Sequence, residues 1–132
     1  EAQMAEEMNH RFPADSPTFR AIEGACRQAI KAGWMCSEGG DGRRFGRVIE
    51  AGPLTSGLSV DVVDLDDTSG PHHRHPTGEI CLIMPQSSAA RFDGHGAGWC
   101  VFEPGSAHTP TVTEGRALVL YMLPEGRIEF SE

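Results

Sequence analysis

The chain has 132 residues, of which 39% are hydrophobic, and a formal net charge of −8 at pH 7. This length is typical of one globular domain that folds without disulfides, and no apolar stretch is long enough to span a bilayer. The acidic balance, without any basic run, argues against nucleic acids and membrane surfaces as partners.

Helical patterns occupy the chain up to about residue 42. Residues 1–10 are rich in Ala, Glu and Met, which favour a first helix. A second helix is predicted from Pro17, with Ser16 as its N-cap, to about Ala32. Its apolar residues recur at spacings of three and four: Phe19, Ile22, Cys26 and Ile30. Residues 37–42 are rich in glycine and are predicted to form a loop.

After residue 42 the pattern changes to short strands bounded by Gly or Pro. The predicted strands are 45–50, 59–65, 79–84, 90–93, 99–103, 108–113, 117–123 and 127–130. No helix intervenes between them, so we predict an all-β core, a sandwich or a barrel. We expect one structural domain, with residues 1–42 as an N-terminal helical extension packed on a barrel of residues 43–132.

The strand at 117–123 is apolar on both of its faces. Such a strand is expected to be buried on two sides, by the core on one side and by a helix or a second subunit on the other. The apolar stripe of the second helix is one possible cover. A homodimer is the alternative that the same observation favours.

Four cysteines are spread along the chain without any CxxC pair: Cys26, Cys36, Cys81 and Cys100. Since the sequence also shows no signal-peptide pattern, we expect free, mostly buried thiols in a cytoplasmic protein.

Ligand-type side chains are concentrated around residue 75. His73, His75 and Glu79 are separated by even numbers of residues, so in an extended chain they point to one face. His108 follows a tight turn at Gly105 and is a fourth candidate. Two imidazoles and a carboxylate form a facial ligand set that leaves positions open for substrate, so we predict a divalent metal site. A single histidine is more often a surface or core residue, but this cluster is unlike a chance arrangement. Fe, Mn, Zn and Ni all accept such ligands.

The same residues carry a family resemblance. His73-x-His75-xxx-Glu79, followed by Gly105-xx-His108, resembles the two motifs of the cupin superfamily. The resemblance spans about residues 43–130. It implies a small antiparallel jelly-roll barrel with the metal inside.

A second resemblance extends over nearly the whole chain. It rests on separated segments, namely 11–17, 44–49, 59–63, 70–76, 90–94, 104–108 and 115–121. These segments are similar to those of the 4-hydroxylaminobenzoate lyase family of bacterial nitrobenzoate degradation. The resemblance implies conversion of 4-hydroxylaminobenzoate to 3,4-dihydroxybenzoate with release of ammonia.

Such a reaction on a small aromatic acid needs further side chains around the metal. For the ring carboxylate the candidates are Arg74, Arg91 and, behind them, Arg44. For the aromatic walls they are Phe92, Trp99, Phe102 and Tyr121, each of which could equally be a core residue. For a general acid they are His72, His95 and Glu103, and the sequence does not choose between them.

Two other functions fit the same ligand set. The first is a metal-dependent oxygenase acting on a small aromatic acid, since two histidines and a carboxylate suit Fe(II) and O₂. The second is a non-catalytic module that binds a small ligand near a metal. Oxygen consumption would identify the oxygenase, and ligand binding without turnover would identify the module.

Overall fold

The computed structural model describes residues 2–131. Glu1, in the predicted first helix, and Glu132, the last residue of the predicted barrel segment, lie outside the described part. Within it, two helices, α1 (Ala2–Arg11) and α2 (Pro17–Lys31), precede eleven strands. The strands are β1 (Glu38–Gly40), β2 (Arg43–Ile49), β3 (Leu58–Asp66), β4 (His73–His75), β5 (Glu79–Pro85), β6 (Arg91–Phe92), β7 (Gly98–Phe102), β8 (Ser106–His108), β9 (Val112–Thr113), β10 (Arg116–Pro124) and β11 (Glu129–Phe130).

The strands form one large sheet and two small ones. The large sheet has the order β1-β2-β3-β10-β5-β7, and the small sheets are β11-β4-β8 and β6-β9. Every pairing within them is antiparallel. An inner core cluster joins Val119 of the large sheet to Phe92 and Val112 of the β6-β9 pair. This arrangement confirms the predicted antiparallel all-β core with helices at its N-terminal end.

Strand β10 lies at the centre of the large sheet and is covered on both faces. Val119 belongs to the inner cluster, whereas Leu118 packs in an outer cluster with Phe19 and Cys26 of α2. The prediction of a strand buried on two sides is therefore confirmed. Because α2 supplies the outer cover, burial of this face needs no second subunit.

Both helix ends follow from local chemistry. Ser16 Oγ accepts a hydrogen bond from the Phe19 amide, Pro17 occupies the first turn, and Gly33 leaves the helix with a φ of +89°. Helix α1 is attached differently. The Asn9 amide group donates to the Trp99 carbonyl at 3.0 Å and accepts from the Trp99 amide at 2.8 Å, which occupies the free edge of β7.

Two boundaries differ from the sequence prediction. The predicted loop at 37–42 is wrong for Glu38–Gly40, which pairs with β2 as the first strand of a hairpin. Glycine-rich segments are usually loops, but ladder pairing uses only the backbone, so this strand forms without side chains to predict it.

The predicted strand 108–113 is divided into β8 and β9, which belong to different sheets. Pro110 lies between them and lacks the amide hydrogen that a continuous strand would need.

All four cysteines are buried and free, as predicted. Among residues 2–131, neither helix combines the length and apolar character needed to cross a bilayer.

Candidate metal centre

Antiparallel pairing of β4 with β8 brings three histidines together. His73 lies opposite His108 in the register, and His75 projects from the same face of β4 as His73. Their Nε2 atoms form a triangle with edges of 3.1 Å (73–75), 3.0 Å (75–108) and 3.1 Å (73–108). Among the described residues, this is the group of His, Cys, Asp or Glu donors that converges closely enough to hold an ion.

The opposite side of each imidazole meets an oxygen atom. His73 Nδ1 donates to the Pro71 carbonyl at 3.0 Å, and His108 Nδ1 donates to Asp93 Oδ2 at 2.5 Å. His75 Nδ1 is buried without a well-aligned hydrogen bond, and Glu79 Oε2 lies 3.3 Å from it. Protons held on Nδ1 of His73 and His108 leave their Nε2 lone pairs free, and the Nε2 atoms of all three rings converge on a common centre.

These features fit a divalent cation. Burial, followed by the neighbouring imidazoles, lowers the pKa of His75 to about 3, and burial also lowers the pKa of His73. Both rings are therefore neutral at pH 7, which is the form that binds metal. Nitrogen ligands that lie about 2.1 Å from one ion and at right angles are about 3.0 Å apart, close to the observed edges.

Glu79, the predicted fourth ligand, stands beside this triangle rather than in it. Its carboxyl is 4% exposed, accepts a hydrogen bond from the Cys81 thiol at 2.7 Å, and faces His75 Nδ1. Burial raises its pKa to about 7. Glu79 also lines the same cavity as His73 and His108, so its role as a ligand stays a prediction.

His73 and His108 border a cavity of about 520 Å³ between the large sheet and the small ones. Its walls are mainly apolar and aromatic, formed by Phe45, Val63, Phe92, Val119, Tyr121 and Phe130. Burial, followed by the charges of Asp61 and Glu79, raises the pKa of Tyr121, so this residue is a neutral phenol throughout the physiological range. A pocket of this size and character suits a substituted aromatic ring.

Of the predicted substrate-binding residues, Phe92, Tyr121 and Arg44 border the cavity. Phe102 is not part of the lining but packs against two of the predicted ligands. Its ring centroid lies 5.8 Å from that of His75 and 4.4 Å from that of His108. It therefore supports the imidazoles from behind.

The other predicted residues lie away from the cavity. Residues of opposite parity on β4 face outward: Arg74 forms an exposed ion pair with Glu129, and His72 is bonded to Ser131. Trp99 packs in the outer cluster beside the helices. The remaining three, Arg91, His95 and Glu103, are exposed. The outward position of the first two follows from strand alternation, whereas the remaining placements depend on how the sheets stack.

Two residues near the site were not among the sequence candidates. Asp93 holds His108, but nothing in the spacing relates an Asp-Gly turn to a histidine 15 residues later. Arg43 borders the cavity and lies two residues before Phe45 on the same face of β2. Strand alternation could have identified it if the predicted strand had begun at residue 43 rather than 45.

Comparisons with known proteins identify the family and the fold. Residues 1–130 match the family model described as 4-hydroxylaminobenzoate lyase. Two curated relatives with that name, from Nocardioides sp. (strain LMS-CY) and Pseudomonas putida, are each 29% identical over 93% of this chain, covering 78% and 80% of their own lengths. An RmlC-like cupin protein from Ralstonia eutropha superposes with a TM-score of 0.51 at 12% identity, over 70% of this chain and 61% of that one. This last likeness shows the cupin fold.

Proposed function

The chain belongs to the 4-hydroxylaminobenzoate lyase family, and we propose that its His73–His75–His108 centre converts 4-hydroxylaminobenzoate and water to 3,4-dihydroxybenzoate and ammonia. One observation carries the proposal: three imidazoles direct their Nε2 atoms to one point, beside an apolar cavity that His73 and His108 border. A divalent ion held by these imidazoles would supply an electrophile, and the cavity offers an apolar site for an aromatic ring.

The reaction balances without an oxidant. The N–O bond breaks, a ring carbon next to the nitrogen-bearing carbon gains a hydroxyl, and water replaces nitrogen, which leaves as ammonia. The ring loses two electrons and the nitrogen gains two, so no external oxidant is needed. A hydroxylamine is the partly reduced form of a nitro group, so we place the enzyme in the degradation of nitroaromatic acids.

His73, His75 and His108 would hold a divalent ion, which would supply the Lewis acidity needed to weaken the N–O bond. Glu79 completes the ligand set in this proposal, because its buried carboxylate lines the same cavity. The Pro71 carbonyl and the Asp93 carboxylate hold two of the imidazoles in the metal-binding tautomer.

The remaining residues position the ring. Tyr121 stays protonated and faces the cavity, so it serves as a hydrogen-bond donor to the hydroxylamino group and not as a base. Phe92 and Phe130 form apolar walls that exclude water from the reacting atoms. Exclusion of water strengthens each polar interaction within the cavity.

The test is a reaction without oxygen. Purified protein is assayed for bound metal, then incubated with 4-hydroxylaminobenzoate under argon while ammonia and 3,4-dihydroxybenzoate are quantified. We expect equal amounts of both products. If the metal-loaded protein forms neither, the lyase proposal is wrong; a strict requirement for O₂ would support the oxygenase instead.

A further inference from the structure

The inner face of β2 carries two arginines in different surroundings. Arg43 and Arg47 share this face and pair in register with Leu65 and Asp61 of β3. The Arg47 guanidinium forms two ion pairs. Its Nε lies 3.0 Å from Asp61 Oδ1, and its Nη1 lies 3.1 Å from a Glu50 oxygen. Arg43 has an apolar partner in Leu65 instead. Among residues 2–131, no carboxylate lies within ion-pair distance of its guanidinium.

Arg44, the next residue, belongs to the other face of the strand. It pairs in register with Asp64, and its Nη2 lies 3.8 Å from Asp41 Oδ1. Gly46 shares this outer face, where the backbone of Cys36 packs against it. The Arg44 side chain therefore belongs to the outer face of the sheet, although the residue is part of the cavity border. Strand alternation directs the side chain of Arg43 to the inner face.

We infer that Arg43 binds the carboxylate of the aromatic substrate and makes the site selective for ring acids, an inference that rests on the proposed function. Arg43 borders the same cavity as His73 and His108. A para-substituted benzoate carries its two polar groups at opposite ends of a rigid ring, so one cavity with both a guanidinium and a histidine cluster in its wall offers a partner for each group. In a protein of net charge −8, an unpaired guanidinium at the cavity attracts the anion that the rest of the surface repels.

Steady-state kinetics test this with two substrates. Arg43→Gln should raise KM for 4-hydroxylaminobenzoate by about 10-fold to 100-fold with little change in kcat, since a charged hydrogen bond to the ligand is lost. Its kinetics with N-phenylhydroxylamine, which lacks the carboxylate, should match those of the wild type. Arg20→Gln removes the same charge from an exposed position on α2 and serves as the matched control. Equal losses with both substrates, or the KM effect in Arg44→Gln instead, would overturn the inference.

Equilibrium binding separates this inference from the proposed function. Calorimetry with 4-aminobenzoate and with aniline needs no turnover. We expect wild-type protein to bind the acid more tightly than aniline, and Arg43→Gln to lose that preference. A preference retained by the variant, or absent from the wild type, would refute the role of Arg43. If the preference depends on Arg43 but 4-hydroxylaminobenzoate is not converted, only the proposed reaction fails.

Discussion

The Asp93 carboxylate bridges His108 to the neighbouring backbone. Asp93 Oδ2 accepts a hydrogen bond from His108 Nδ1 at 2.5 Å, and Oδ1 accepts one from the Thr111 amide at 2.9 Å. The residue has a φ of +49°, a conformation that Asp and Asn tolerate better than most side chains. The contact fixes both the tautomer and the orientation of the one predicted ligand that comes from a distant strand.

Replacing this carboxylate should weaken the metal centre. Asp93→Asn keeps the size and the tolerance of positive φ but removes the charge that holds His108. We expect metal affinity to fall about 10-fold to 100-fold, as is usual when such a supporting partner is lost. Competition with a chromophoric chelator measures it without reference to activity.

Asp67 provides a matched control for this variant. It has a φ of +50° and accepts a hydrogen bond from the Glu114 amide at 3.1 Å, but no histidine is bonded to it. Asp67→Asn should leave metal affinity unchanged. Equal losses in the two variants would assign the effect of Asp93 to the turn rather than to His108.

Truncation of the ligands should remove the metal itself. We expect His73→Ala and His108→Ala to be folded, to lack stoichiometric metal and to be inactive, because each deletes one corner of the Nε2 triangle. Elemental analysis measures the bound metal, and circular dichroism checks that the variants are folded. His10→Ala changes an exposed residue of α1 and should keep both metal and activity. Full activity in the two ligand variants would refute the metal mechanism.

The buried thiols should make the protein sensitive to alkali. Burial raises the pKa of Cys36 to about 12 and of Cys100 to about 11, and raises those of Cys26 and Cys81 as well. Between pH 9 and 11 the unfolded chain therefore releases protons that the folded chain retains, so stability falls as pH rises through 9. Cys36 and Cys100 should each contribute about 1 kcal/mol of loss by pH 10, and Cys26 and Cys81 act in the same direction.

Urea unfolding at pH 8 and pH 10 with a reductant present measures this loss. Lys31 is the only lysine and Tyr121 the only tyrosine, so few other side chains titrate in this range. Tyr121 acts in the same direction, since burial raises its pKa too. Cys36→Ala should have a shallower pH dependence than the wild type. An identical slope would contradict the assignment to thiols.

The contact between α1 and the sheet should be energetically significant. Asn9→Ala removes both hydrogen bonds to the Trp99 backbone, and the free energy of unfolding should fall by about 1 to 3 kcal/mol. Gly98 permits this approach, because a Cβ there would lie 2.7 Å from Asn9 Oδ1. Gln3→Ala, an exposed change on the same helix, is the control for helix propensity. Chemical denaturation that shows no difference between the two variants would refute the role of Asn9.

Local patterns in the sequence predicted much of this molecule. Ser16 and Pro17 marked the start of α2, and alternation along β4 placed His73 and His75 on one face. The two-sided burial of β10 followed from its apolar run. These features depend on residues that are neighbours in the chain, so the periods of the helix and the strand are enough to locate them.

What surrounds the histidines was decided only by the tertiary structure. The choice of Arg43 over Arg74 or Arg91 depends on which strand faces the cavity, and the pairing of Asp93 with His108 depends on two loops meeting. The sequence by itself determined a turn-rich β domain with imidazoles aligned on one extended segment. Closure of the sheets determined that Asp93 meets His108 and that Arg43 borders their cavity, because contacts between distant segments follow from strand register and layer packing, which no local period encodes.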